Sequence, residues 1–110
     1  MPETLDTQAL RAAFIAANDA AIAAEPGDDV GSCNFDTCTI RLPHRLKAQV
    51  EEAAKGTGMR ARAEDWIGQC FFLSASVSGG QGFSRTRIAE AIRDALRGRG
   101  FDALVYYQMD

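Results

Sequence analysis

The sequence is poor in the residues on which small-site chemistry rests. Its 110 residues include one histidine (His44), one tryptophan (Trp66), two lysines (Lys47 and Lys55), three prolines and three cysteines. A single histidine limits imidazole acid–base chemistry to one group. An odd cysteine count (Cys33, Cys38 and Cys70) argues against a disulfide framework and for a reducing compartment. No apolar run approaches the roughly 18 residues of a membrane span. The opening Met1-Pro2-Glu3 lacks the basic start and apolar stretch of a secretory leader. The expectation is a cytoplasmic protein with no membrane contact.

What is present fits one small domain, with residues 1–26 as an added N-terminal helix and 33–110 as the folded core. Apolar residues number 51, of which 19 are alanine, leaving 32 larger side chains for a core. The net charge of −3 is unevenly spread. Residues 1–30 carry six acids and one base; residues 31–110 carry nine acids and eleven bases. A generic DNA binder needs a net cationic surface, which the whole chain lacks. Ten of the twelve basic residues are arginine, a bias that GC-rich coding explains together with the alanines.

Hydropathy and breaker residues predict the order of elements. Residues 4–25 lack glycine and proline and predict a helix with a diluted stripe of Leu5, Ala9, Ala12, Phe14, Ile15, Ala17 and Ile22. Pro26-Gly27 ends it, and an acidic loop follows. Residues 35–42 alternate as a strand, with Asp36, Cys38, Ile40 and Leu42 on one side. A helix is expected from Pro43 to Ala54, closed by Gly56 and Gly58. Residues 59–64 predict an edge strand, Asp65–Gly68 a turn, and 69–76 a central strand. After a glycine-rich loop, Ser84 caps a helix to Arg97, and 102–109 form the last strand. The order α, then β-α-β-β-α-β, predicts an α+β fold. From Phe35 onward it looks like the ferredoxin-like arrangement: an antiparallel sheet with two helices on one face, preceded by the long N-terminal helix. That helix has three places to go: over the open sheet face, beside the other helices, or into self-association as a homodimer.

Such a fold discloses little about function. RNA-recognition domains share the strand order but place stacking aromatics on the first and third strands. Here Gly68 and Phe71 fit, whereas Gln69 and Ser74 stand at aromatic positions and Ile67 replaces the basic residue. The signature is not met.

Five local features are candidate sites. The first is the loop containing Gly80 and Gly82, leading to Ser84, Arg85 and Arg87. Glycines before a helix start expose N–H groups to anions, and two arginines in the first turn oppose the helix dipole unless a phosphate or acidic partner compensates. The loop lacks the lysine of a P-loop and the third glycine of a dinucleotide fingerprint. The second is Cys33, Cys38, His44 and Cys70 as a zinc set, whose spacing does not suit a knuckle. The third is Cys33 activated by His44, opposed by nearby acids that would raise its pKa. The fourth is the acidic group Glu25, Asp28, Asp29 and Asp36, whose spacing is not that of an EF-hand. Carboxylates so grouped compete for the cations that hold phosphates, so the expected docking partner is a nucleic-acid-binding protein. The fifth is the aromatic set Trp66, Phe83, Phe101, Tyr106 and Tyr107, with Trp66 in a turn and the two tyrosines on opposite sheet faces.

No convergent set of acid, base, nucleophile and metal emerges, so the expectation is a non-enzymatic binding protein without catalytic residues or cofactor. It would act by protein–protein contact and surface occlusion, as small phage or mobile-element inhibitors of host machinery do. The alternative is a nucleic-acid or phosphate-ligand binder using the glycine loop and Arg85/Arg87, with Arg41, Arg60 and Arg62 on the sheet.

Overall fold

The computed structural model describes residues 5–24, 36–77 and 83–107, the side chains of 83–85 excepted. Helix α1 spans Thr7–Ala24. Its start is set by Asp6, whose Oδ1 accepts the Ala9 N–H at 3.0 Å, as an N-cap carboxylate does. Strand β1 is Thr37–Ile40. Arg41 adds one more bond, from its N–H to the Asp102 carbonyl at 2.8 Å, before Pro43 ends the strand. A single 3-10 turn, His44–Leu46, leads into helix α2, Lys47–Ala54. Strands β2 (Arg60–Trp66) and β3 (Gly68–Ser74) form a hairpin. Helix α3 is Phe83–Arg97 and strand β4 is Ala103–Tyr106.

The four strands make one antiparallel sheet in the order β2-β3-β1-β4. The expected edge position of β2 and central position of β3 are both found. Strands β2 and β3 also run into the expected Asp65–Gly68 turn. Trp66 pairs directly with Gly68, and Ile67 alone makes the reversal. Gly68 sits at φ +77°, a conformation a residue with Cβ adopts only at a cost. Trp66 is therefore a strand residue, not a turn residue.

One face of the sheet is dry. Cys38, Ile40, Phe71 and Leu73 are buried with Leu10 and Phe14 of α1, Val50 of α2, and Ile92 and Leu96 of α3. All three helices thus cover one face, with α1 bridging α2 and α3. Of the three places open to the N-terminal helix, it takes the one beside its neighbours. Its buried face is Leu10, Ala13, Phe14, Ala17, Asn18 and Ala21, at helical spacing. The alanines let α1 lie close to α3. Of the expected stripe, Phe14 and Ala17 are buried and Leu5 packs against the core, whereas Ala9 and Ala12 are exposed and Ile15 and Ile22 are 46% and 50% exposed.

Two polar devices hold α1 in place. The Arg11 guanidinium donates to the carbonyls of Lys55 and Glu52, both at 2.7 Å, and so caps the C-terminal end of α2. Asn18, only 7% exposed, accepts the Ser76 N–H at 2.8 Å and donates from Nδ2 to Ser76 Oγ at 3.1 Å. Gly58 faces the same amide. A Cβ there would lie 2.5 Å from Asn18 Nδ2, which requires glycine, as does its φ of +92°.

Candidate functional site

The strand alternation that buries Phe71 and Leu73 turns Cys70, Phe72 and Ser74 to the opposite face. The register assembles that face row by row. Arg62, Phe72, Thr39 and Leu104 form one row, and Arg60, Ser74, Thr37 and Tyr106 the next. Trp66 belongs to the same face by its spacing from Arg62. Among the described residues no helix packs there.

Three aromatic rings meet on this face. The Trp66 and Tyr106 centroids are 4.8 Å apart with planes at 76°, and Trp66 and Phe72 are 6.5 Å apart at 86°. Phe72 and Tyr106 close the triangle at 5.5 Å. The two Trp66 contacts are edge-to-face, the arrangement the ring quadrupole favours, while Phe72 and Tyr106 are tilted at 40°. The Arg62 guanidinium lies 5.8 Å from the Phe72 centroid and also pairs with Glu64 at 2.6 Å. Trp66 keeps 37% of its surface exposed, and Ile67 beside it at the hairpin tip keeps 49%. Across the sheet, beyond the end of β1, Arg41 and Asp102 pair at 3.5 Å. The centre of the face is therefore apolar and aromatic, and paired charges stand at its rim.

This composition was only partly foreseen. Tyr106 and Tyr107 do point to opposite sides: Tyr107 donates from its hydroxyl to Glu90 of α3 at 2.6 Å, which raises its pKa. Phe72 was not singled out, and Phe71, the residue that fits the RNA-recognition pattern, is fully buried in the core. Period-two alternation from Leu73 was the signal that could have separated them.

The other sequence-derived candidates do not converge. Glu25, Asp28, Asp29, Cys33, Gly80 and Gly82 lie outside the described residues, as do the side chains of Phe83, Ser84 and Arg85. Arg87 is exposed on α3 and has interactions of its own. Asp36, expected on an acidic docking surface, is instead 5% exposed and accepts the Thr86 hydroxyl at 2.6 Å. A carboxylate thus sits in the first turn of α3, where the helix dipole favours it.

The cysteines are divided by the sheet. Cys38 faces the core, where burial pushes its thiol up to about 12, a value that opposes both metal ligation and nucleophilic attack. Cys70 faces the other way, its thiol 3.5 Å from the Glu64 carbonyl and its pKa also raised by burial. The two cannot share one ion. Among the described residues no group of three or more His, Cys, Asp or Glu is placed to hold a metal.

His44 has a structural task. Its Nε2 is 3.0 Å from the carbonyls of Glu64 and Cys70, so that nitrogen carries the proton and donates to the β2–β3 hairpin. Its N–H donates to Gln69 Oε1 at 2.8 Å, and its ring meets the Phe71 ring edge-on at 5.5 Å.

Comparison with protein-family models, curated proteins and solved structures yields no match. Among the described residues no helix is long and apolar enough to cross a membrane.

Proposed function

We propose that this chain is a non-enzymatic protein-binding domain that uses its helix-free sheet face to cover a partner's surface. The Trp66–Phe72–Tyr106 cluster carries the reading. Tryptophan, tyrosine and arginine are the side chains that dominate binding energy at protein interfaces, and here they stand together with an apolar centre and a charged rim. The core between 36 and 107 is proposed as a ferredoxin-like unit. Support comes from the order β2-β3-β1-β4, the antiparallel neighbours, and the placing of α2 and α3 between strand pairs in the chain. Occlusion needs no convergent catalytic groups, in keeping with a buried Cys38 and a His44 committed to the hairpin. A phage or mobile-element origin is one setting for such an inhibitor.

The phosphate-binding reading at the α3 start is less favoured, because the Asp36 carboxylate already lies in that turn and repels a second anion. The test is affinity capture from the native host, with lysate used before and after nuclease treatment. Proteins retained by the wild type and lost with Trp66→Ala/Tyr106→Ala support the sheet face. Retention of the same proteins by that variant overturns it. Capture that disappears on nuclease treatment would favour the nucleic-acid alternative.

A further inference from the structure

We propose a second binding site, at the edge of the sheet where β2 begins and at the opposite end of that strand from Trp66: a groove that takes a small phosphomonoester ligand between Lys55 and Arg60. The groove has a volume of about 820 Å³ and lies where the end of α2 meets the start of β2 and the end of β3. That size is in the range of small-ligand sites, roughly 300–1,000 Å³. Glu51, Lys55, Arg60, Ser74 and Ser76 supply its polar lining, and Met59 and Ala61 part of its apolar lining.

The charge pattern points to the ligand. Among the described residues the side chains of only three cations, Lys55, Arg60 and Arg99, have no ion-pair or hydrogen-bond partner. Two of the three line this one groove. The acid beside them, Glu51, is paired with Lys47 at 3.9 Å. A helix C-terminus ordinarily disfavours an anion, but the last carbonyls of α2 are already engaged. Arg11 takes Glu52 and Lys55, and the Thr57 hydroxyl takes Ala54 at 2.6 Å. The negative end of the helix is thereby largely neutralised.

The floor of the groove is also pre-set. Asn18 accepts the Ser76 N–H through Oδ1, which fixes its Nδ2 toward Ser76 Oγ. Since Oγ accepts there, the Ser76 hydroxyl proton is left to donate elsewhere. Two cations and two hydroxyls offer more donors than one carboxylate can use, whereas a phosphate dianion has three acceptor oxygens. Inorganic phosphate alone would leave most of the volume empty, so the ligand carries an organic part that lies over Met59 and Ala61.

The test is a titration of the full chain, followed by amide chemical shifts, with adenosine monophosphate and with inorganic phosphate at constant ionic strength. Saturable shifts confined to 55–61 and 74–76, with the nucleotide binding more tightly than phosphate, are expected. Lys55→Met/Arg60→Met should weaken the nucleotide by about tenfold or more. Both side chains are exposed, and an unchanged urea midpoint checks that the variant folds. Absence of saturable shifts in the wild type overturns the site, as does an unchanged affinity in the double variant. Shifts centred on Arg62 and Trp66, or tight binding only to a single-stranded oligonucleotide, would also overturn it. Trp66 lies at the other end of β2 from Arg60, so Trp66→Ala should leave these shifts in place, and this site and the aromatic cluster fail or stand separately.

Discussion

The attachment of α1 makes a prediction whose size follows from three residues. Asn18→Ala removes two hydrogen bonds to Ser76, at about 1 kcal/mol each, for a loss of about 2 kcal/mol. Gly58→Ala acts twice. A residue with Cβ at φ +92° costs about 1–2 kcal/mol. The new Cβ also falls within 2.5 Å of Asn18 Nδ2 and 2.8 Å of its Cγ, so the amide must leave Ser76. That adds the same 2 kcal/mol or so, giving a total of about 3–4 kcal/mol. With Asn18 already removed, Gly58→Ala costs only its backbone term. The double variant should therefore be about as stable as Gly58→Ala alone, with a coupling of about 2 kcal/mol. Urea unfolding of the four proteins, at unchanged slope, measures this directly. The margin of a small domain, about 5–15 kcal/mol, leaves the single variants folded. Losses that add to within about 0.5 kcal/mol would refute the contact and with it the account of how α1 is seated.

Other predictions concern the thiols, the cap of α2 and the ring cluster. Cys38 is neutral in the folded state up to about pH 12, whereas an unfolded cysteine ionises near 9. Its contribution is therefore full below pH 9 and is lost as the pH rises toward 12, by about 1.4 kcal/mol per pH unit. The alkaline fall in urea stability should be shallower in Cys38→Ala than in the wild type; equal slopes would contradict the burial. Arg11→Ala frees two helix-end carbonyls and should lower stability by about 1–2 kcal/mol, measured by thermal unfolding, with no loss of sheet-face binding. Trp66→Ala should cost about 1–2 kcal/mol through its two ring contacts, readable by urea unfolding followed by circular dichroism.

The sequence disclosed the order of the elements, the edge place of β2 and the central place of β3. Strand alternation and glycine or proline stops carry that information locally. The phase of α1 was less legible, because alanines on nearly every side leave its apolar periodicity without a preferred direction. Leu10 and Ala13 face the core, while Ile15 and Ile22 do not. Asn18 was missed because a buried amide depends on partners 40 and 58 residues away at Gly58 and Ser76. The ring cluster was legible only in its parts. Trp66 was expected in a turn, and which of two adjacent phenylalanines faces outward depends on a register that only the sheet defines. Asp36 was placed on the correct strand side with Cys38 and Ile40, yet was also grouped with the surface acids, two readings that burial decides.

The most direct test of the sheet-face account uses the only tryptophan as its own reporter. Trp66 is 37% exposed, so a partner that covers the face should shift its emission to the blue and shield it from an aqueous quencher. With a captured partner purified to homogeneity, titration should produce both changes in step with complex formation. A complex that forms while Trp66 emission and quenching stay those of the free protein would contradict the proposal.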